Sequence, residues 1–150
     1  MRLFLVLLLY AITAYGEANS VGPCLTATEN DRTHWGHVWG VTHFEEVPLK
    51  RLSGIVHDLW GQPIPEALVE IFPWKKGEPD PVPSDADDNA QHRIAACITG
   101  APGSFAFELN SGYYEVRVSR HDWNITSTIV RVDQRMGRKK RLSVLLMIGD

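Results

Sequence analysis

Residues 52 to 72 read LSGIVHDLWGQPIPEALVEIF, and the reading of the whole chain grows from how they alternate. Leu52, Gly54 and Val56 interleave with Ser53, Ile55 and His57. Ala67, Val69 and Ile71 interleave with Leu68, Glu70 and Phe72. A period of two sends successive side chains to opposite faces of a sheet. Leu52–His57 and Glu66–Phe72 are therefore expected to form a strand pair, with the first set of each facing the core. Gly54 sits mid-strand, where a missing side chain marks close packing or a bulge. Between the strands, Gly61, Pro63 and Pro65 forbid a regular ladder. Asp58 stands in turn context with no partner acid or base, which assigns it to folding back onto backbone N–H groups.

The same alternation recurs downstream. Ile94, Ala96 and Ile98 mark a strand in Arg93–Thr99, and Phe105, Phe107 and Leu109 mark the next. Tyr114, Val116 and Val118 alternate with Tyr113, Glu115 and Arg117. Asn124–Val132 is rich in Ile, Thr and Val, as strands are. Leu142–Ile148 is almost wholly apolar, which predicts cover on both faces. Turns fall at Gly100–Gly103, at Asn110–Gly112 and in the basic run RMGRKKR, Arg135–Arg141. No helical period of useful length appears beyond the first residues. Seven short strands with frequent turns predict an all-β, antiparallel Greek-key β-sandwich.

The ends of the chain carry other information. Arg2, the apolar run Leu3–Ile12 and the small residues Ala14 and Gly16 have the three-part layout of a secretory signal peptide over 1–16. The run is too short for a bilayer, which needs roughly 20 residues, so no transmembrane span is expected. Export, to a periplasmic or extracellular destination, makes a bridge the simplest use of the two cysteines, Cys24 and Cys97. A free, buried Cys97 is the alternative. A bridge would tie an N-terminal arm, 17–50, to the sandwich, 51–150. Its long loop would contribute about 4 kcal/mol on the chain-entropy model.

Composition narrows the function. The chain has 150 residues, a hydrophobic share of 44% and a net charge of −3. That is enough for one core, and too little positive charge to suggest nucleic acid. Five Trp residues are expected mostly to fill the core, although exposed ones would make a binding face. In the arm, His34, His37 and His43 lie near Trp35 and Trp39. The short gap between His34 and His37 suits a shared metal ion, yet a site needs three or four ligands and a supporting shell. An added strand is the simpler expectation for this segment. In the acidic loop before Arg93, Asp85, Asp87 and Asn89 copy the opening of a calcium loop. Ala90 and Ala96 stand where its glycine and closing glutamate belong. The RMGRKKR turn either attracts an anionic glycan, lipid or nucleic acid, or is a charged hairpin tip that keeps a sheet edge soluble. The second is the expectation. Asn124-Ile125-Thr126 fits an N-glycosylation acceptor.

The run L-x-G-x-V-x-D-x-x-G-x-P-I-P-x-A-x-V-E, Leu52 to Glu70, resembles the opening of a carboxypeptidase regulatory-like domain. GSFAFELNSGYYEVRVS, Gly103 to Ser119, resembles that family's second signature. The resemblance spans about Leu52 to Ile148 and implies a transthyretin-like (prealbumin-like) seven-stranded sandwich. It implies framework roles for Gly54, Asp58, Gly61, Pro63, Ala67, Gly103, Phe105, Gly112 and Tyr114. The family shares no catalytic residues, so none is carried over. Related enzymes differ at their own sites. Hydroxyisourate hydrolases end in Tyr-Arg-Gly-Ser, where this chain ends Leu146-Met147-Ile148-Gly149-Asp150. Intradiol dioxygenases resemble the opening stretch but need two Tyr and two His on iron, and Tyr113 and Tyr114 point oppositely on one strand. A zinc carboxypeptidase would need its own catalytic domain, for which there is no room.

No acid–base or nucleophile pair is visible in the sequence, and no cofactor is expected. The expected function is that of a secreted, non-enzymatic module that binds or scaffolds a protein or carbohydrate at the cell envelope. A transthyretin-like or metal-dependent hydrolase using the arm histidines is one alternative, and a structural protein pairing through sheet edges another.

Overall fold

The computed structural model describes residues 24–27, 38–43, 48–77 and 93–148, with backbone alone for 38–43. The leader at 1–16, His34, His37 and the calcium-like stretch at 85–96 up to residue 92 lie outside the described residues. The described residues contain strands and no helix. They run β1 Cys24–Thr26, β2 Val38–His43, β3 Leu52–His57, β4 Leu68–Pro73 and β5 Ala95–Thr99. Then follow β6 Ser104–Phe107, β7 Gly112–Ser119, β8 Ile125–Val132 and β9 Leu142–Leu145. Six make one sheet in the order β1-β5-β4-β7-β8-β2, and three make another in the order β6-β3-β9.

This architecture corrects several expectations. The seven segments read as strands are β3 to β9, and the arm adds β1 and β2, so the described residues hold nine strands. Two pairings are parallel, β2 with β8 and β3 with β9. The opening stretch is not a pair: β3 joins the small sheet and β4 the large one, so Asp58–Pro65 crosses between layers. Local alternation fixes which face of a strand is apolar, but it does not choose the strand's neighbour.

The core lies between the sheets. Leu52, Val56, Phe105, Leu142 and Val144 of the small sheet meet Val69, Ile71, Val116, Val118 and Val130 of the large one. Gly54 lies directly against the Phe105 ring and the Leu142 carbonyl, which leaves no room for a Cβ. Close packing, rather than a bulge, explains it. Tyr114 buries its ring in the core and donates its hydroxyl to the Asn110 carbonyl, 2.9 Å away. Burial pushes its phenol above the ordinary value.

The two sheets differ in their other faces. Strand β4 is buried on both, because Leu68, Glu70 and Phe72 are as covered as Val69 and Ile71. The charges there are paired, as burial requires. Glu70 accepts from Arg93 at 3.0 Å, and Glu115 accepts from Arg117 at 3.1 Å and from the Ser127 hydroxyl at 2.6 Å. The Arg117 guanidinium stacks 4.5 Å over the Phe72 ring. Strand β9, by contrast, is covered on one face only: Ser143 and Leu145 are exposed. It is an edge strand of a three-stranded sheet, so its apolar run overstates its burial.

Cys24 and Cys97 are bridged, with Cα atoms 5.7 Å apart. The bridge fastens β1 to β5, whose ladder pairs Cys24 with Thr99 and Thr26 with Cys97. The arm thus supplies both edge strands of the large sheet, β1 on one side and β2 on the other.

Candidate functional site

Strands β3 and β9 run parallel, and β8 enters the large sheet where they end. The sandwich therefore has two ends, about 17 Å apart along the six residues of β3 at roughly 3.3 Å per residue. Each end opens into a depression.

At the end where β3 stops, Asp58 builds a tight turn. Its Oδ1 accepts from the backbone N–H groups of Trp60 at 2.9 Å and Gln62 at 2.8 Å. Gly61 adopts φ of 77°, and its N–H donates to the Asp58 carbonyl. The turn holds Trp60 out in solvent at 77% exposure, beside exposed Leu59. Across a cleft of about 240 Å³ stand Trp123, Asn124, Met147 and Ile148. The 146–148 segment is held there by the Asn124 N–H, which donates to the Met147 carbonyl at 2.8 Å. Trp74 and Trp123 are half-buried, and Trp123 packs against the core. Of the five tryptophans expected mostly to fill the core, the three with described side chains divide: Trp60 rides an irregular turn in solvent, while Trp74 and Trp123 close strand ends and are partly covered.

Asn124 is only 4% exposed. Its Nδ2 donates to the Ile148 carbonyl at 3.4 Å, while its buried Oδ1 accepts nothing among the described residues. The folded chain therefore offers no accessible amide at the Asn-Ile-Thr triplet.

At the opposite end lies a groove of about 580 Å³. Lys50 and Arg51 come from the approach to β3, and Lys139, Lys140 and Arg141 from the approach to β9; among the described residues Glu108 is the one carboxylate. The RMGRKKR run is not a hairpin tip, since β8 and β9 lie in different sheets. It crosses between layers, and 48–50 is laced to it by backbone hydrogen bonds. The Arg138 N–H donates to the Pro48 carbonyl, Lys50 N–H to Arg138, and Asp133 N–H to Leu49, at 2.8 to 2.9 Å. Gly137 lies so close to the Leu49 and Lys50 backbone that a Cβ would collide with it. The Asp133 carboxylate caps the turn, accepting from the Arg135 and Met136 N–H groups at 3.0 Å. Those two N–H groups, aided by the charges of Arg131 and Arg135, hold its carboxyl below the ordinary value.

A third arrangement escaped the sequence reading. His57 and Ser143, 86 residues apart, meet across β3 and β9 with Nε2 and Oγ 2.6 Å apart. The other ring nitrogen, Nδ1, lies 2.8 Å from the Asp58 carbonyl. A carbonyl only accepts, so Nδ1 carries a proton, and in the neutral ring Nε2 accepts from the serine. The two groups are of the types that make a nucleophile dyad, a ring nitrogen and a hydroxyl. This arrangement lies on the open face of the small sheet, outside both depressions, and braces a parallel strand pair. Only pairing through space finds it, because no local pattern links the two positions.

The remaining framework residues sit in turns and core. Gly103 (φ 63°) precedes β6, Pro63 bridges to His57, Ala67 is fully buried, Phe105 fills the core and Gly112 opens β7. His43 ends β2, where its backbone pairs with Ile129. Among the described residues, no three His, Cys, Asp or Glu gather as a metal site would require.

The class this geometry defines is a two-layered all-β sandwich. No family model matches the chain, and no curated protein does. Among solved structures it is similar to chlorocatechol 1,2-dioxygenase from Pseudomonas putida, at 9% identity and a TM-score of 0.37, over 85% of this chain and 72% of that one. A likeness so distant carries no argument about activity.

Proposed function

We propose that the chain is an exported, non-enzymatic β-sandwich module that holds a protein partner through its apolar end. The carrying observation is Trp60, three-quarters exposed yet fixed by the Asp58 turn at the mouth of a cleft lined by Leu59, Trp123 and Ile148. Trp side chains are among the usual anchors of protein interfaces, and here the backbone that carries one is fixed. Asp58, whose Oδ1 is taken up by the turn, and Asn124 are the polar side chains of a lining that is otherwise apolar, which suits an apolar side chain better than a sugar. The leader-like residues at 1–16 and the Cys24–Cys97 bridge support export to the periplasm or the cell exterior. The repeated crossing of the chain between sheets supports the transthyretin-like Greek-key reading that the resemblance implies. The hydrolase alternative, with His34, His37 and His43, gains nothing from the described residues.

Selection of peptides from a random display library against the full chain tests the reading. Apolar-rich binders are expected, weakened at least tenfold by Trp60→Ala. Binders that hold the variant as tightly as the parent would overturn it.

A further inference from the structure

We propose that the basic groove binds an acidic polysaccharide, a sugar chain carrying sulfate or carboxylate groups. The first argument is charge. Among the described residues, a chain with net charge −3 gathers Lys50, Lys139 and Arg141, with Arg51, Lys140 and the carboxylate Glu108, around a single depression. Glu108 is shared with Arg51 at 3.5 Å in an exposed pair, which offsets little. Lys50, Lys139 and Arg141 make no ion pair among the described residues. Gathering like charges raises the energy of the empty groove, and a bound anion lowers it.

The second argument is fixed geometry. The two cationic segments approach from positions some ninety residues apart in the chain. The backbone bonds between 48–50 and 131–138, and the Asp133 cap, set their spacing before any ligand arrives. Binding then costs little ordering of the main chain.

The third argument selects the ligand. Among the described residues no aromatic side chain lines the groove, so unpaired nucleic-acid bases find nothing there to stack on. The site is concave, and a flat bilayer would touch its rim rather than enter. Its neutral polar groups are the Ser53 hydroxyl and the Gln134 amide. Gln134 donates Nε2–H to the Leu109 carbonyl and keeps its oxygen for an incoming hydroxyl. Ammonium and guanidinium groups for sulfate or carboxylate, with hydroxyl and amide groups between them, match a charged sugar. The volume is that of a ligand pocket.

Calorimetric titration of the full chain with heparin, a sulfated uronate polymer, is the test. The parent is expected to bind, and to ignore uncharged dextran. Lys50→Glu with Lys139→Glu is expected to weaken heparin at least twentyfold. Lys75→Glu with Lys76→Glu, exposed positions outside the groove with the same change in net charge, is expected to stay within twofold. Absence of heparin binding by the parent overturns the proposal, as does an equal loss in the two double variants. A DNA oligonucleotide or phosphatidylserine vesicle that outbinds heparin through the same lysines overturns it in favour of that class. Trp60→Ala should leave heparin binding unchanged, which keeps this result separate from the fate of the apolar end.

Discussion

At one end of β3 stand Lys50 and Arg51, and at the other Leu59 and Trp60. At one end of β9 stand Lys139 to Arg141, and at the other Met147 and Ile148. The same strands, buried by the same core, deliver charge to one end and apolar surface to the other. The scaffold between them is regular; the ends are built from irregular chain, fixed in each case by one aspartate. Asp58 accepts from two N–H groups to present Trp60, and Asp133 accepts from two N–H groups to present the basic run. Surface chemistry here is a property of capped turns, and it can be changed at one end without touching the other.

That separation can be broken in a graded way. Gly137→Val should have the largest effect. Its side chain meets the Leu49 and Lys50 backbone, so urea unfolding should show a loss of about 2–3 kcal/mol. Heparin affinity should fall with it, while peptide binding at the apolar end should survive in the folded fraction. Trp123→Ala comes next. Half-buried and packed on the core, with Arg120 stacked 5.5 Å away, it should cost about 2 kcal/mol. Its heparin affinity should match the parent's. Trp60→Ala should change stability by less than about 0.5 kcal/mol, because the side chain is exposed, and should act on binding alone. A large stability loss there would mean the turn serves the fold rather than a partner.

The smallest effect is on acid stability. The Asp133 carboxyl is held below its ordinary value in the folded chain. Its contribution is complete above the unfolded value near 3.9 and is lost as pH falls through the lower folded value. Asp133→Asn should therefore make the fall in melting temperature between about pH 5 and pH 2 shallower. Asp58→Asn serves as the matched comparison at the other end. An unchanged acid limb in Asp133→Asn would remove the cap from the account.

The strands were legible where one face of a strand is buried and the other wet. Leu52, Gly54 and Val56 show this, since a period of two then marks the core directly. It was less legible in β4, where Glu70 reads as a solvent-facing position but pairs with Arg93, 23 residues later. Sheet assignment was not legible at all, because Asp58–Pro65 is a turn whether it joins a hairpin or crosses layers. The basic groove was half legible. Arg135–Arg141 stands out as a run, but Lys50 and Arg51 join it only through main-chain bonds that no side-chain pattern encodes. His57 and Ser143 meet for the same kind of reason, through the register of a parallel pair.

The arm has a consequence for how copies of this chain treat one another. It lies along both margins of the large sheet, β1 stitched on by the disulfide and β2 by pairing with β8. Unpaired sheet margins invite the extended chain of a neighbour. A molecule trimmed ahead of Leu49 would carry two such vacancies, each shaped for a segment its intact siblings possess, and would assemble end over end by borrowing.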